Sequence, residues 1–191
     1  MSRYIDIHTH HPTGQHIEPQ GVGIHPWHAA TEPMPSEADF AQADIVGEIG
    51  LDYACDVERG LQECVFRAQL AIAERLKKVV VLHCVKTFEP TMKILAEYNL
   101  RAVIFHGFIG SVQQAARAVE NGYFLSFGAN TSRSPKTTEA LRNTPLNRMF
   151  VESDETLKNI EEIYSESAHL KGVNIDQLKE VISENYRTIF E

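Results

Sequence analysis

The chain has 191 residues, enough for one domain with a substantial hydrophobic core, and we predict a single domain over residues 1–191. Apolar residues make up 43% of the sequence and charged residues 23%, and this composition excludes gross disorder. The formal net charge of -8 argues against extended duplex binding, because affinity for a duplex comes mainly from Lys and Arg on phosphates.

Apolar runs alternate with helical patterns along most of the chain. We predict strands over residues 4–7, 22–24, 45–49, 79–82, 102–105, 123–127 and 149–151. We predict helices over residues 58–77, 90–98, 112–120, 135–141, 160–170 and 175–189, and a loop over the Pro- and Glu-rich residues 26–39. Repeated strand–helix units indicate a parallel sheet, which either a doubly wound sheet or a closed barrel satisfies.

Six of the seven predicted strands finish in an imidazole or a carboxylate. The residues are His8 and His10, His25, Glu48, His83, His106 and Asp154, in chain order. In parallel α/β architectures the carboxyl ends of the strands share one edge, where functional sites assemble. The pattern therefore predicts a metal site built from these side chains.

Each residue also has a simpler interpretation. A lone His at a strand end is usually a satisfied polar residue, and Asp154 is in a position to cap a helix. A buried Glu48 would ordinarily need a basic partner, but no Lys or Arg occurs between Gly21 and Glu58. Because an imidazole or a carboxylate ends six of the seven predicted strands, we favour the metal site over these separate explanations.

His25 has no ligand assignment, and the other four histidines with two carboxylates are more ligands than one zinc ion requires, so we predict two divalent ions. Mixed nitrogen and oxygen donors favour Zn or Mn, with Co, Ni and Mg as the other candidates. Glu48, on a central strand, is the candidate for a carboxylate shared by both ions.

Several segments then match a known family in order: "IDIHTH", "GIHP", "VGEIGLDY", "VLHC", "FHGFIGS", "GYFLSFG", "VESD" and the terminal "NYRTIF". The chain resembles the TatD-related metal-dependent hydrolases, which belong to the amidohydrolase-like (β/α) barrels. The resemblance implies a dinuclear divalent site and DNase or phosphoesterase activity. It also implies that one ion takes His8, His10 and Asp154 and the other takes His83 and His106, with Glu48 shared.

The sequence departs from the family pattern at its beginning. Only ten residues separate His10 from Gly21, too few for the strand–helix unit expected there. A complete barrel has about eight strands. We therefore predict an α/β fold of the TIM-like (β/α) barrel type, shortened to about seven parallel strands, with a C-terminal helical pair.

The predicted reaction is hydrolysis of a phosphoester, with a short single-stranded DNA end or a small phosphoester as substrate. Asp154 is the predicted proton acceptor, and Glu48 stays ionised as a ligand. We expect His25, Lys86 and Arg133 to contact the substrate, although a structural role for His25 and solvent exposure of the two cations are alternatives. Trp27 either stacks on a base or sugar or packs against the protein.

Two other functions remain open at this point. The same fold hosts hydrolysis of C–N and C–O bonds, as in amides and lactones, and a degenerate barrel can bind metal without catalysis. A bridging Lys would favour the amidohydrolase, but Glu48 occupies that position. Three cysteines without CxxC spacing, no signal peptide pattern and no long apolar run lead us to expect a cytoplasmic protein without a membrane partner.

Overall fold

The computed structural model describes residues 3–191, and the chain divides into two compact units. One unit is Gln20–Phe105, and the other combines Met1–Pro19 with His106–Glu191. Each unit alternates parallel strands with helices, as the sequence predicts. The interpretation of residues 1–191 as one domain stays a prediction.

Four parallel strands and three α-helices form the unit Gln20–Phe105. The strands pair in chain order: β1 (Gly21–Val22), β2 (Ile45–Asp52), β3 (Val79–Val85) and β4 (Ala102–Phe105). The helices are α1 (Glu37–Gln42), α2 (Arg59–Leu76) and α3 (Phe88–Leu95), and a 3-10 turn covers Pro26–His28. The apolar residues of β2 and β4 and the first four residues of β3 are buried, which explains their nearly continuous apolar runs.

The other unit contains β5 (Phe124–Phe127) paired in parallel with β6 (Met149–Val151). Its helices are α4 (Val112–Glu120), α5 (Pro135–Asn143), α6 (Ile160–Lys171) and α7 (Ile175–Phe190), and 3-10 turns cover Thr131–Arg133 and Leu146–Arg148. Helices α6 and α7 are the predicted C-terminal pair. Buried Asn185 of α7 donates from Nδ2 to the carbonyl oxygens of Leu146 and Met149, both at 2.9 Å, and so holds α7 against β6.

The predicted strand at residues 4–7 is an extended segment rather than a strand. Ile5 makes an isolated parallel bridge with Ile17, and the Ile7 amide donates to the Val151 carbonyl at 3.3 Å. These contacts place the segment beside β6 without a continuous ladder. The described residues therefore form six strands, one fewer than the sequence predicts.

The predicted loop over residues 26–39 was wrong at its end, where α1 begins at Glu37. Ser36 caps this helix: its Oγ accepts from the Asp39 amide, and the Asp39 carboxylate accepts from the Ser36 amide at 2.9 Å. This capping box is a recognised start signal for a helix. The helix has only six residues, too few to show a helical period in the sequence. None of the helices formed by residues 3–191 has the length and hydropathy needed to span a bilayer.

Candidate metal centres

The first group of metal-ligating side chains lies in the unit that contains the chain's beginning. His8 and His10 follow the extended segment beside β6, and Asp154 comes three residues after β6 ends. The Asp154 amide donates to the His8 carbonyl, and the His10 amide donates to the Asp154 carbonyl, both at 3.0 Å. This pair of backbone hydrogen bonds brings the HxH segment and Asp154 together. Asp154 has φ of +55°, a left-handed conformation that Asp adopts more readily than most residues.

The side chains of this group converge on one point. Asp154 Oδ1 lies 3.7 Å from His8 Nε2 and 3.6 Å from His10 Nε2. The His8 ring also lies edge-on to the His106 ring, with 4.6 Å between centroids. Each of His8, His106 and Asp154 offers one ligand atom within 4.8 Å of the other two.

Glu152 is a buried carboxylate beside this group that the sequence analysis missed. It follows β6 directly, is fully buried, and places Oε1 3.3 Å from His106 Nδ1. The same oxygen accepts a hydrogen bond from the Gly107 amide. Burial raises the pKa of Glu152, but His106 and His8 outweigh burial and hold the pKa below its usual range. The ionised carboxylate thus orients the His106 ring, as an outer-shell carboxylate does for a metal-binding His.

Asp6 supports the HxH segment from the core side. Its Oδ1 accepts from the Ser153 amide at 2.9 Å, and its Oδ2 accepts from Ser153 Oγ at 2.5 Å. Ser153 Oγ also lies 2.8 Å from Thr9 Oγ1. Burial raises the pKa of Asp6 to about 6 despite these hydrogen bonds. The chain Asp6–Ser153–Thr9 therefore fixes the backbone between His8 and His10 relative to Asp154.

The second group lies in the unit Gln20–Phe105 and is centred on Glu48. The prediction that Glu48 ends its strand was wrong, because β2 continues to Asp52. The pairing of β2 with β3 shifts between Val46 and Ile49, so that β2 has one residue more than β3 in this stretch. Such a bulge turns a side chain in a new direction, and bulges are common beside functional sites.

Glu48 and two histidines are in mutual contact. His83 Nδ1 lies 2.6 Å from Glu48 Oε1, and His25 Nε2 lies 3.3 Å from the same oxygen. His25 Nε2 and His83 Nδ1 are 3.1 Å apart. All three side chains are mostly buried, and their ligand atoms fall within 4.8 Å of one another.

Asp52, at the end of β2, sets the orientation of His83. Its Oδ2 lies 3.1 Å from His83 Nε2 and accepts from Trp27 Nε1 at 2.7 Å. Burial raises the pKa of Asp52, but the hydrogen bonds from Trp27, Ala54 and His83 outweigh burial and lower the pKa. Metal binding at Nδ1 requires the tautomer with Nε2–H directed at this carboxylate, in which the lone pair of Nδ1 faces Glu48.

The tautomer of His25 differs from that of His83. The Trp27 amide donates to His25 Nδ1 at 3.2 Å, so neutral His25 carries its proton on Nε2. That Nε2–H faces Glu48 and His83. His25 is therefore a hydrogen-bond donor within the group, whereas in the metal-binding tautomer of His83 the lone pairs of Glu48 Oε1 and His83 Nδ1 face each other, 2.6 Å apart.

Two buried glutamines of α2 hold the backbone around this group. Gln69 accepts from the Ile24 amide at 2.6 Å and donates to the Ile24 carbonyl at 3.2 Å, next to His25. Gln62, two helical turns earlier, accepts from the Asp52 amide at 2.8 Å and donates to the Asp52 carbonyl at 2.9 Å. The side-chain amide of each glutamine thus hydrogen-bonds to both the backbone N–H and the backbone carbonyl of one residue, as the backbone of a neighbouring strand does.

Both groups have a donor chemistry that fits a divalent cation. Zinc ligands lie about 2.0–2.1 Å from the ion in tetrahedral geometry, which puts neighbouring ligand atoms roughly 3.4 Å apart. The His–Asp154 separations of 3.6 and 3.7 Å are close to that value. Between His83 Nδ1 and Glu48 Oε1, a proton or a cation is needed to offset lone-pair repulsion.

The remaining predicted substrate residues lie on the surface. Lys86 follows β3, is exposed and has φ of +56°, while Arg133 ends the 3-10 turn after β5 and is also exposed. Their substrate contacts stay predictions. The residues that the sequence analysis missed, namely Asp6, Asp52 and Glu152, share one signal: each is acidic and adjoins an apolar run, as Glu48 does.

Gly50 gives a prediction for the second group. Its φ is +146°, and a Cβ added there would lie 2.0 Å from the carbonyl oxygen of His83. We expect Gly50→Ala to push β3 away from β2, lower the free energy of unfolding by about 2–4 kcal/mol, and weaken metal binding at His83. Chemical denaturation and elemental analysis measure the two effects.

Gly60→Ala is the matched control. Gly60 is a residue of α2 whose added Cβ would meet only the flexible carboxylate of Glu58, at 3.2 Å. Alanine is the better helix former, so this variant should be as stable as the wild type or slightly more so. Equal losses of stability in the two variants would contradict the close-approach argument for Gly50.

The sequence of the chain was compared with those of known proteins. The family model for the TatD related DNase matches residues 18–191. A putative deoxyribonuclease TATDN1 homolog of Vairimorpha ceranae is 31% identical over 75% of this chain and 54% of its own length. An uncharacterized metal-dependent hydrolase, YabD of Bacillus subtilis, is 26% identical over 86% of this chain and 75% of its own length. The chain thus spans between about half and three quarters of these two curated relatives.

The fold also resembles that of a solved protein of this kind. The crystal structure of YjjV, a TatD homolog from Escherichia coli K12, superposes with a TM-score of 0.79 and 25% identity, covering 91% of this chain and 76% of that one. The likeness confirms the predicted α/β fold of the TIM-like type. The family model covers most of the chain, and its match includes Glu48, His83, His106 and Asp154. The chain therefore belongs to the TatD-related DNase family.

Proposed function

We propose that this protein is a divalent-metal-dependent hydrolase of phosphodiesters, acting on single-stranded ends of nucleic acid. The observation that carries the proposal is that each unit gathers its own set of imidazole and carboxylate donors within 4.8 Å. The names of the relatives, a putative deoxyribonuclease and a metal-dependent hydrolase, support the same chemistry.

We assign one ion to each group, with Zn or Mn favoured because the donors mix nitrogen and oxygen. His8, His10 and Asp154 would hold one ion, with His106 in reach of the same set. Glu48 and His83 would hold the other. The shared role of Glu48, and the pairing of His106 with His83, stay predictions from the family resemblance.

The ions, when bound, supply Lewis acidity toward a phosphoryl oxygen and make water more acidic. The protein's own groups do the rest. Asp154, about one third exposed, is placed to accept a proton from the attacking water. If an ion takes the lone pairs of Glu48 and His83, the Nε2–H of His25 that faces them would be able to donate to a phosphate oxygen or to the departing oxygen, as its predicted substrate contact requires.

The donor sets themselves disfavour the two alternatives. A carbamylated lysine would favour an amidohydrolase, but β2 and β3, which carry Glu48 and His83, contain no lysine. A protein that binds metal without catalysis has no need of a proton acceptor open to solvent, which Asp154 provides. Both alternatives are outcomes of the experiment below.

The test is a hydrolysis screen on purified protein whose metal content is known. Elemental analysis should give close to two divalent ions per chain. With added Mn or Zn, we expect hydrolysis of single-stranded DNA and of a generic phosphodiester, and none of an amide or lactone. Removal of the ions by a chelator should abolish turnover, and Mn or Zn should restore it.

Three other results would each contradict the proposal. Turnover of the lactone alone would replace the proposal by a C–O hydrolase. Two ions without turnover of any substrate would indicate a binding protein. Turnover that survives complete removal of the ions would contradict the metal-dependent mechanism.

A further inference from the structure

Trp27 presents an aromatic surface beside the second metal-ligating group. The indole is 51% exposed, a high value for the largest apolar side chain. Its ring lies edge-on to the His25 ring, with 4.6 Å between centroids, and 5.9 Å from the centroid of the His83 ring. The exposed indole is therefore adjacent to the group that would meet a scissile phosphate.

The indole is held in a fixed orientation. Trp27 Nε1 donates to Asp52 Oδ2 at 2.7 Å, and Asp52 is only 3% exposed. Trp27 is also part of the 3-10 turn Pro26–His28, and its amide donates to His25 Nδ1. A rigid aromatic side chain loses little conformational entropy when a ligand packs against it.

The negative charge of the chain favours substrate binding through an uncharged aromatic surface. With a net charge of -8, the chain as a whole repels the phosphates of a nucleic-acid strand. Stacking of a base on an aromatic ring supplies affinity without a charge, and it is available only to unpaired bases with a free face. A substrate with an unpaired base next to the scissile phosphate fits both features.

We propose that Trp27 is a stacking platform for the unpaired nucleobase next to the scissile phosphate. This inference rests on the proposed hydrolysis of phosphodiesters, and it adds the recognition element. Trp27 is then a substrate-binding residue, and Asp52 is the residue that positions it.

The chain provides its own probe, because Trp27 is its only tryptophan. A short single-stranded DNA with phosphorothioate linkages, which resist hydrolysis, is titrated into the purified protein. Quenching of tryptophan fluorescence reports contact at Trp27, and anisotropy of a label on the DNA reports binding independently. We expect the two curves to coincide.

Two variants separate the aromatic face from the hydrogen bond to Asp52. Trp27→Leu removes both, and Trp27→Phe removes only the hydrogen bond. By anisotropy, Trp27→Leu should weaken binding by about 5- to 100-fold, whereas Trp27→Phe should keep most of the affinity. An abasic strand of the same length and charge should bind the wild type as weakly as the normal strand binds Trp27→Leu.

Three results would overturn the proposal: binding without quenching, equal affinity for the abasic strand, or equal losses in Trp27→Leu and Trp27→Phe. Failure of the hydrolysis itself looks different. If the wild type quenches and binds as expected but does not cleave an unmodified strand with Mn or Zn, then stacking stands and the proposed activity is wrong. Elemental analysis of both variants confirms that their metal content equals that of the wild type.

Discussion

Asp154→Asn is expected to lower kcat for a phosphodiester by about 10²- to 10⁴-fold, the usual contribution of a positioned general base. Asparagine keeps the size of the side chain but cannot accept the proton of an attacking water. It also tolerates the left-handed φ of +55° at this position, so the backbone hydrogen bonds to His8 and His10 should survive. The thermal unfolding midpoint should therefore change little.

The measurement is kcat at saturating Mn or Zn, with elemental analysis of the variant to separate loss of the proton acceptor from loss of the ion that Asp154 would hold. Asp56→Asn is the matched control, since Asp56 is exposed and precedes α2 without capping it. Retention of wild-type kcat in Asp154→Asn would remove the proton-acceptor role from Asp154. A large fall in the unfolding midpoint would instead indicate that the carboxylate stabilises the backbone bridge.

The alternation of parallel strands and helices was predictable from the sequence pattern, whereas the barrel type came from the family resemblance. Strands covered on both faces are apolar at consecutive positions, and β4 and β6 have the predicted bounds. Helix α4 also has its predicted bounds and is followed by Gly122 at φ of +83°. The pattern failed for residues 4–7, because an apolar run shows that a segment is buried but not whether a neighbour pairs with it along its length.

The geometry of the second group could not be predicted from the positions of its residues at strand ends. Glu48 was predicted as a ligand because burying an unpaired carboxylate costs free energy. The direction of its side chain, however, depends on a β-bulge that the local sequence does not predict. The bulge follows from the pairing of β2 with β3, which is a long-range property. Likewise, His25 was placed near the site, but its tautomer depends on the Trp27 amide, and only the 3-10 turn brings that amide within 3.2 Å.

The buried carboxylates Glu152 and Asp52 were missed for a different reason. One acidic residue was considered at each of two strand ends, Glu48 and Asp154, and further carboxylates beside them were not sought. Imidazoles that bind metal usually need a second partner to fix their orientation. Each group has such a partner, because Glu152 lies 3.3 Å from His106 and Asp52 lies 3.1 Å from His83. A search for acidic residues next to apolar runs would have found both.

Glu48→Gln is expected to remove at least one of the two ions and to lower turnover by more than about 100-fold, beyond the 10- to 100-fold typical of an outer-shell partner. The amide is neutral and is a poor ligand for a divalent ion. Its NH₂ can donate to His83 Nδ1, which is 2.6 Å from the carboxylate oxygen in the wild type, and so occupy the lone pair that a cation would need.

The number of ions lost in Glu48→Gln distinguishes the two roles proposed for this residue. Loss of both ions by elemental analysis supports a shared carboxylate, whereas loss of one assigns Glu48 to the His83 group alone. Glu32→Gln is the control, because Glu32 is exposed and its recorded ion pair is with His28, which is also exposed. It should keep both ions and full activity. If Glu48→Gln kept both ions and wild-type turnover, Glu48 would not be a ligand.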